Sequence, residues 1–215
     1  VCSSDLSSGA LSPRTKVGLV NGSGVDLNFF KESPIQNYNK FLFVGRLLKD
    51  KGVLDFVDAA RLIKKEYPKV EFHIVGWIDE SYKKSISKKH LQAWVDENLV
   101  FFHGFHKDLR PFLEDCFCLI HPSYHEGTPR AVLEAMSTGR PIITTDAPGC
   151  RETIVHNKNG FLVPINSPNE IAIAIKKLIL DNSLGDEMGK SSRKHAVKKY
   201  SEIKVADKMF SLMEI

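Results

Sequence analysis

Long apolar runs are missing from this chain. No stretch approaches the roughly 18 residues that a membrane-spanning helix requires, so any membrane contact has to be peripheral. Cysteine is scarce: Cys2, Cys116, Cys118 and Cys150 are the only four, and none forms a C-x-x-C pair. Cys116 and Cys118 sit in an apolar run that reads as a buried strand, so reduced thiols in a cytoplasmic protein are expected. An excess of one charge is lacking too. Thirty basic and 26 acidic residues leave a net charge of +4, too mild to argue for nucleic acid, and no basic-aromatic motif accompanies it. The common nucleotide fingerprints are absent. There is no G-x-x-x-x-G-K-[ST], and in NGSGVDL Leu27 stands where the third small residue of a dinucleotide loop belongs. P-loop chemistry is excluded, and hydride transfer loses its main support. The opening VCSSDLSSGALSP has no apolar h-region and is not a signal peptide. VCSSDL resembles translated sequencing adapter, and residues 1–14 are expected to be disordered or a non-native leader.

What is present is an ordinary globular composition, 42% hydrophobic and 26% charged. TKVGLVNGSGVDLNFF reads as a short strand and a glycine-rich linker, and residues 15–40 as a connecting remnant. From residue 41 a rhythm begins. FLFVG, VEFHIVG and LVFFHG are apolar runs closed by Gly45, Gly76 and Gly104, followed by CFCLIHPS, RPIITTDAP and GFLVP. Between them, KGVLDFVDAARLIKKEY, DESYKKSISKKHLQAWVDE and PRAVLEAMSTG carry helical periodicity. After Pro164 the expectation is all helix: EIAIAIKKLIL, residues 183–199 and EIKVADKMFSLM. Strands apolar on both faces, alternating with helices, predict an α/β fold: a Rossmann-like parallel sheet with helices on both faces and C-terminal helices. The body spans 41–200 and a last helix 201–215.

The carboxyl edge of such a sheet is where open α/β folds bind ligands. The three strand-end glycines permit tight turns there, and they also leave backbone open to a ligand. In GRLLKDKG, Arg46 follows a strand and Lys51 precedes a helix. Arg offers a planar fork of donors and Lys a mobile charge, which suits a diphosphate as well as it suits a solvated loop. In HEGTPRAVLEA, Thr128 is the expected N-cap and Pro129 the first helical residue. The amides of Arg130 and Ala131 would form an anion site at the helix start. Glu134 would lie roughly 7–8 Å up the axis, with Glu126 in the loop on the other side. A carboxylate accepts from a vicinal diol through both oxygens. Phosphates on the amides, a ribose on one carboxylate and a hexose on the other describe a nucleoside-diphosphate sugar.

The combination of NGSGVD, GRLLKDKG, HGF, PSYHEGTPRAVLEAMSTGRPIITTD and GCRETI resembles the C-terminal, donor-binding domain of a GT-B retaining glycosyltransferase of family 4. The bacterial enzymes that build capsular or lipid-linked polysaccharides are the most similar. The likeness covers roughly residues 17–200, and the E-x7-E element from Glu126 to Glu134 is its most specific part. It implies that Arg46 and Lys51 stabilise the leaving diphosphate, that Glu126 contacts the donor sugar and that Glu134 holds the ribose hydroxyls. Gly127, Thr128, Arg130 and Ala131 would meet sugar and phosphate. Pro129 replaces a common glycine and removes one amide donor. Phe105 falls where the base rests, and His125 is placed to touch the donor. The likeness further implies a UDP-linked hexose or N-acetylhexosamine, no metal, and a carbohydrate or polyprenyl-linked acceptor. That acceptor is bound by an N-terminal domain that this chain lacks, so a fragment that binds nucleotide but transfers sugar poorly is expected.

Other readings were weighed. A glycoside hydrolase also uses two carboxylates but has no use for a diphosphate clamp. A nucleotide-sugar 2-epimerase shares the fold and would interconvert sugars without an acceptor. A binding module that has lost its chemistry is a third reading, although none of the four charged residues is replaced. His103, His106, His121 and His125 with Glu126 have spacings that could ligate zinc, yet no cysteine supports the set and no metal is expected. Lys64-Lys65, Lys83-Lys84 and Lys88-Lys89 read as solvated helix faces, with contact to anionic lipid on the inner face of the plasma membrane left open. In the last helix, Ile203, Val205, Ala206, Met209, Phe210 and Met213 either pack on the sheet or lie partly uncovered.

Overall fold

In the computed structural model, residue 20 and residues 22–213 are described. Most of the strand expected near TKVGLV, and the leader, lie outside the described residues. Six strands form one parallel sheet: β1 (Lys40–Arg46), β2 (Glu71–Trp77), β3 (Phe101–Phe102), β4 (Cys118–His121), β5 (Ile142–Thr145) and β6 (Gly160–Val163). Their order is β3-β2-β1-β4-β5-β6. The order reverses between β1 and β4, where Phe41 pairs with Cys118 and Leu42 with Leu119. An open α/β sheet forms its ligand crevice at such a switch point, beyond the carboxyl ends of the strands.

The helices are α1 (Val53–Glu66), α2 (Lys88–Asp96), α3 (Arg110–Asp115), α4 (Arg130–Ser137), α5 (Pro168–Leu180), α6 (Asn182–His195) and α7 (Glu202–Met213). The middle of β1 and all of β4 and β5 are buried on both faces because alternate residues feed two cores. Phe41, Phe43, Phe72, Ile74 and Phe117 face one core with Val53, Phe56, Ala60 and Ile63 of α1 and Ile171, Ile175 and Leu178 of α5. Leu42, Val44, Leu119 and Ile142 face the other, with Val132, Leu133 and Met136 of α4. Each fully buried Phe or Leu contributes about 1.5–3 kcal/mol relative to exposure.

Several expectations require correction. DESYKKSISKKHLQAWVDE is helical only over Lys88–Asp96, because the Ser87 hydroxyl accepts from the His90 amide at 3.2 Å and starts the helix there. β3 is a two-residue edge strand whose Phe101 and Phe102 are exposed, rather than a strand buried on both faces. The helix expected over 183–199 ends at His195 and passes into a π turn, Ala196–Tyr200. In α7 only Val205 is buried; Ile203, Met209, Phe210 and Met213 are exposed. The short helix α3 was not expected.

Residues 25–38 carry no helix or strand, yet two arginines pin them. Arg140, fully buried, donates to Ser33 O at 2.7 Å and Cys116 O at 3.3 Å. Arg193 donates to Phe30 O at 3.1 Å and Leu27 O at 3.3 Å. Each guanidinium thereby satisfies carbonyls that no sheet or helix serves. Among the described residues, no helix is long and apolar enough to cross a membrane.

Candidate functional site

The strand-end glycines form a row across the sheet edge. Gly45 is in register with Gly76, and the Gly76 amide donates to Gly104 O at 2.9 Å. Their roles differ. A Cβ on Gly76 would stand 1.8 Å from Gly45 O, so this position is required by the close approach of two strands. Nothing lies within 4 Å of the Cβ position of Gly104 or of Gly127, so backbone is open to a ligand at both. Beside the row, Phe105 is 65% exposed and meets Trp77 edge-on with centroids 5.3 Å apart. Trp77 was not singled out from the sequence, although its place after Gly76 was a usable signal.

Arg46 closes β1 and remains half-exposed, with Nη1 3.4 Å from Asp79 Oδ2 and its guanidinium 5.9 Å from the Tyr82 ring centroid. Lys51 ends a 3-10 turn, Lys49–Lys51, and its Nζ donates to Glu126 Oε1 at 2.6 Å. His121, the last residue of β4, stands 3.2 Å from the same oxygen through Nε2. Burial alone would raise the Glu126 carboxyl. The bonds from His121 and Lys51 outweigh it and bring the group down to about 2. Glu126 is therefore ionised and can only accept, which makes His121 Nε2 a donor. Both donors meet Oε1, so Oε2 is left for another partner. The sequence reading gave His121 no part in this cluster; its position at a strand's carboxyl end was the available sign.

The backbone around Glu126 is crowded. Gly149 has φ +84°, and a Cβ there would come within 2.0 Å of Glu126 O. Only glycine lets the loop after β5 lie against the loop that presents Glu126. Thr128 is packed by the linker, since a Cβ on Gly22 would be 2.7 Å from the Thr128 Cβ. His125 is exposed, and its carbonyl accepts from the Ser123 hydroxyl at 3.2 Å.

The cap of α4 is corrected by one residue. Pro129, not Thr128, is the N-cap, with ψ 111° and no side-chain cap bond, and the helix begins at Arg130. Val132 N donates to Pro129 O at 3.1 Å, so the Arg130 and Ala131 amides stand ahead of the helical ladder. One turn further, Glu134 is 7% exposed, and its charged neighbour is Arg130, on whose Nη2 its Oε1 sits at 3.6 Å. Burial raises the Glu134 carboxyl to about 7, with Arg130 opposing weakly from an exposed position. A second carboxylate thus stands at the same edge as Glu126, held without a close donor of its own. Among the described residues, no group of three His, Cys, Asp or Glu side chains is placed to hold a metal ion.

A parallel sheet of this order, with unladdered amides at a helix start and paired acidic and basic groups at its switch point, defines a Rossmann-like α/β domain. The family described as glycosyl transferases group 1 matches residues 25–195, and the chain belongs to that family. It is a domain of the GT-B type. It is 29% identical over 79% of its length to a poly(ribitol-phosphate) alpha-N-acetylglucosaminyltransferase of Staphylococcus aureus, covering 34% of that protein. It is 27% identical over 87% of its length to the capsular polysaccharide biosynthesis glycosyltransferase CapM of Staphylococcus aureus, covering 51% of it. The chain therefore spans between a third and about half of these relatives' lengths. Among solved structures, the C-terminal domain of a Francisella tularensis group 1 glycosyl transferase superposes with a TM-score of 0.72 at 26% identity, over 83% of this chain and 99% of that one. Staphylococcus aureus TarM, crystallised with UDP, superposes with a TM-score of 0.74 at 27% identity, over 85% of this chain and 37% of that one.

Proposed function

We propose that this domain binds the donor of a retaining, family 4 glycosyltransferase, a UDP-linked hexose or N-acetylhexosamine used to extend a surface polysaccharide or lipid-linked acceptor. The observation that carries the reading is Glu134: a nearly buried carboxylate short of donors, one turn above the unladdered amides of Arg130 and Ala131. Ribose hydroxyls would supply the missing donors, and the diphosphate would take the amides. Glu126, held by Lys51 and His121, would turn its free oxygen to the sugar.

As the bond from the anomeric carbon to the diphosphate oxygen breaks, the electron pair would stay on the diphosphate. Arg46 and Lys51 would meet that charge, and the acceptor hydroxyl would pass its proton to the departing diphosphate oxygen as the new bond from its oxygen to the anomeric carbon forms. On this reading no resident metal is needed. The open edge at Gly104, with Phe105 and Trp77 beside it, would receive the base. The names of the relatives support the polysaccharide context, and the acceptor would be bound by a second domain. We place the protein in the cytoplasm, against the membrane when its acceptor is lipid-linked.

Calorimetric titration with UDP, GDP and ADP tests the reading. UDP is expected to bind saturably and the other two weakly, with a loss of about tenfold or more in Glu134→Ala, as removal of charge-assisted bonds predicts. Equal binding by wild type and variant, or no binding of UDP, would overturn it.

A further inference from the structure

The two donors that meet on Glu126 Oε1 are unlike in kind. His121 closes β4 and is fixed there: it pairs with Thr144 of β5, whose Oγ1 donates to His121 O at 2.6 Å. The imidazole is 6% exposed, against 22% for the Lys51 side chain. Its other nitrogen, Nδ1, is buried without a partner, so no second bond competes with Glu126 for the orientation of the ring. Lys51 reaches the same oxygen from the end of a 3-10 turn, at the tip of a flexible four-carbon stem. An ammonium carries three donors and follows the anions within its reach.

The acceptor is fixed from behind as well. The Glu126 amide donates to Pro148 O at 3.1 Å, and Gly149 lies against the Glu126 carbonyl where a side chain could not. With the backbone held and Oε1 engaged, the direction of Oε2 follows from the plane of the carboxylate. Burial raises the Glu126 carboxyl, and the bond from His121 is the larger of the two that bring it down to about 2. A diphosphate arriving beside Lys51 offers the ammonium a second, more highly charged partner. The imidazole, closed in by packing, has no other partner to turn to.

We infer that His121 is a positioning residue for the sugar end of the donor: it keeps Glu126 Oε1 in place when Lys51 engages the diphosphate, so that Oε2 stays aimed at a hydroxyl of the donor sugar. The inference rests on the donor-binding reading and deepens it by dividing the cluster, with Lys51 serving the diphosphate and His121 the sugar.

Two measurements on the whole chain test it. The first needs no ligand: the side-chain carboxyl resonance of Glu126 is followed against pH in 13C-labelled protein. His121→Phe keeps a ring on the strand and removes the donor, and it is expected to raise the Glu126 midpoint. His121→Gln, whose amide can donate from the same place, is expected to restore most of the shift. An unchanged midpoint in His121→Phe would overturn the inference.

The second is calorimetric titration with UDP, UDP-glucose and UDP-N-acetylglucosamine. For the sugar nucleotide that the wild type binds, His121→Phe is expected to lose roughly fivefold in affinity, the scale of one hydrogen bond, while UDP changes by less than about twofold. His121→Gln should recover most of that loss, and Lys51→Ala should weaken UDP and the sugar nucleotide alike. If His121→Phe does not fold, His121→Ala takes its place. An equal loss for UDP and sugar nucleotide in the His121 variant, or no loss for either, would overturn the inference and leave the donor reading standing. A wild type that binds neither would overturn the donor reading, and this inference with it.

Discussion

Two carboxylates eight positions apart, at one edge of one sheet, meet opposite surroundings. Glu126 lies in a loop where Lys51 and His121 converge on one oxygen, and its carboxyl sits at about 2. Glu134 lies in a helix where one exposed arginine reaches it at 3.6 Å, and its carboxyl sits at about 7. The first has two protein donors on one of its oxygens. The second has no donor at hydrogen-bond distance, and its burial costs the fold. Similar burial therefore does not imply similar energetics; the donors within reach decide the sign.

The largest expected effect comes from breaking the satisfied cluster. Lys51→Ala leaves Glu126 largely buried with His121 as its one donor. Loss of one partner of a buried pair costs up to 3–5 kcal/mol, and the partial exposure of both groups reduces this to about 2 kcal/mol. Urea unfolding at pH 7 measures it, and a change below about 0.5 kcal/mol, the level of an exposed pair, would remove the contrast between the two glutamates.

Glu134→Gln is expected to act in the opposite direction. In the native state this carboxyl holds its proton up to about pH 7, whereas the unfolded chain releases it near the ordinary value of 4.5. Stability attributable to Glu134 is therefore lost as pH rises from 4.5 to 7, and the full cost is present above that window. The variant should match wild type at pH 5 and exceed it at pH 8 by up to about 3 kcal/mol, at 1.36 kcal/mol per unit. Glu126 runs the other way: its stabilisation is present above 4.5 and fades as pH falls towards 2. Parallel unfolding curves for wild type and Glu134→Gln between pH 5 and 8 would contradict the assignment.

The smallest effect is expected from Arg130→Ala. Its guanidinium is 75% exposed and pairs with Glu134 at i,i+4, an arrangement worth about 0.2–0.5 kcal/mol. A loss well above 1 kcal/mol in the same urea assay would mean that Arg130 satisfies Glu134 more fully than a single 3.6 Å contact suggests.

Much of the fold was legible because its signals are local. Apolar runs closed by glycine marked β1 and β2, and their buried-on-both-faces composition marked the parallel sheet. The failures follow from short-range competition. Ser87 starts α2 eight residues into a segment that reads as one helix, and Pro129 takes the cap that Thr128 was expected to fill. Arg46, Lys51, Glu126 and Glu134 were singled out from residue type and spacing. His121 was weighed only as a metal-ligand spacing, because a histidine closing an apolar strand looks the same whether it faces solvent or a carboxylate.

The sequence by itself determined which residues carry charge, where the chain turns, and that strands and helices alternate around a parallel sheet. Residue type and the periods of 2 and 3.6 suffice for these. Only the tertiary structure decided that Lys51 and His121 share one oxygen of Glu126 and that Glu134 is left without a close donor. Each depends on segments as much as 75 residues apart coming within hydrogen-bond reach, and a hydrogen bond is sensitive to tenths of an ångström that no spacing along the chain encodes.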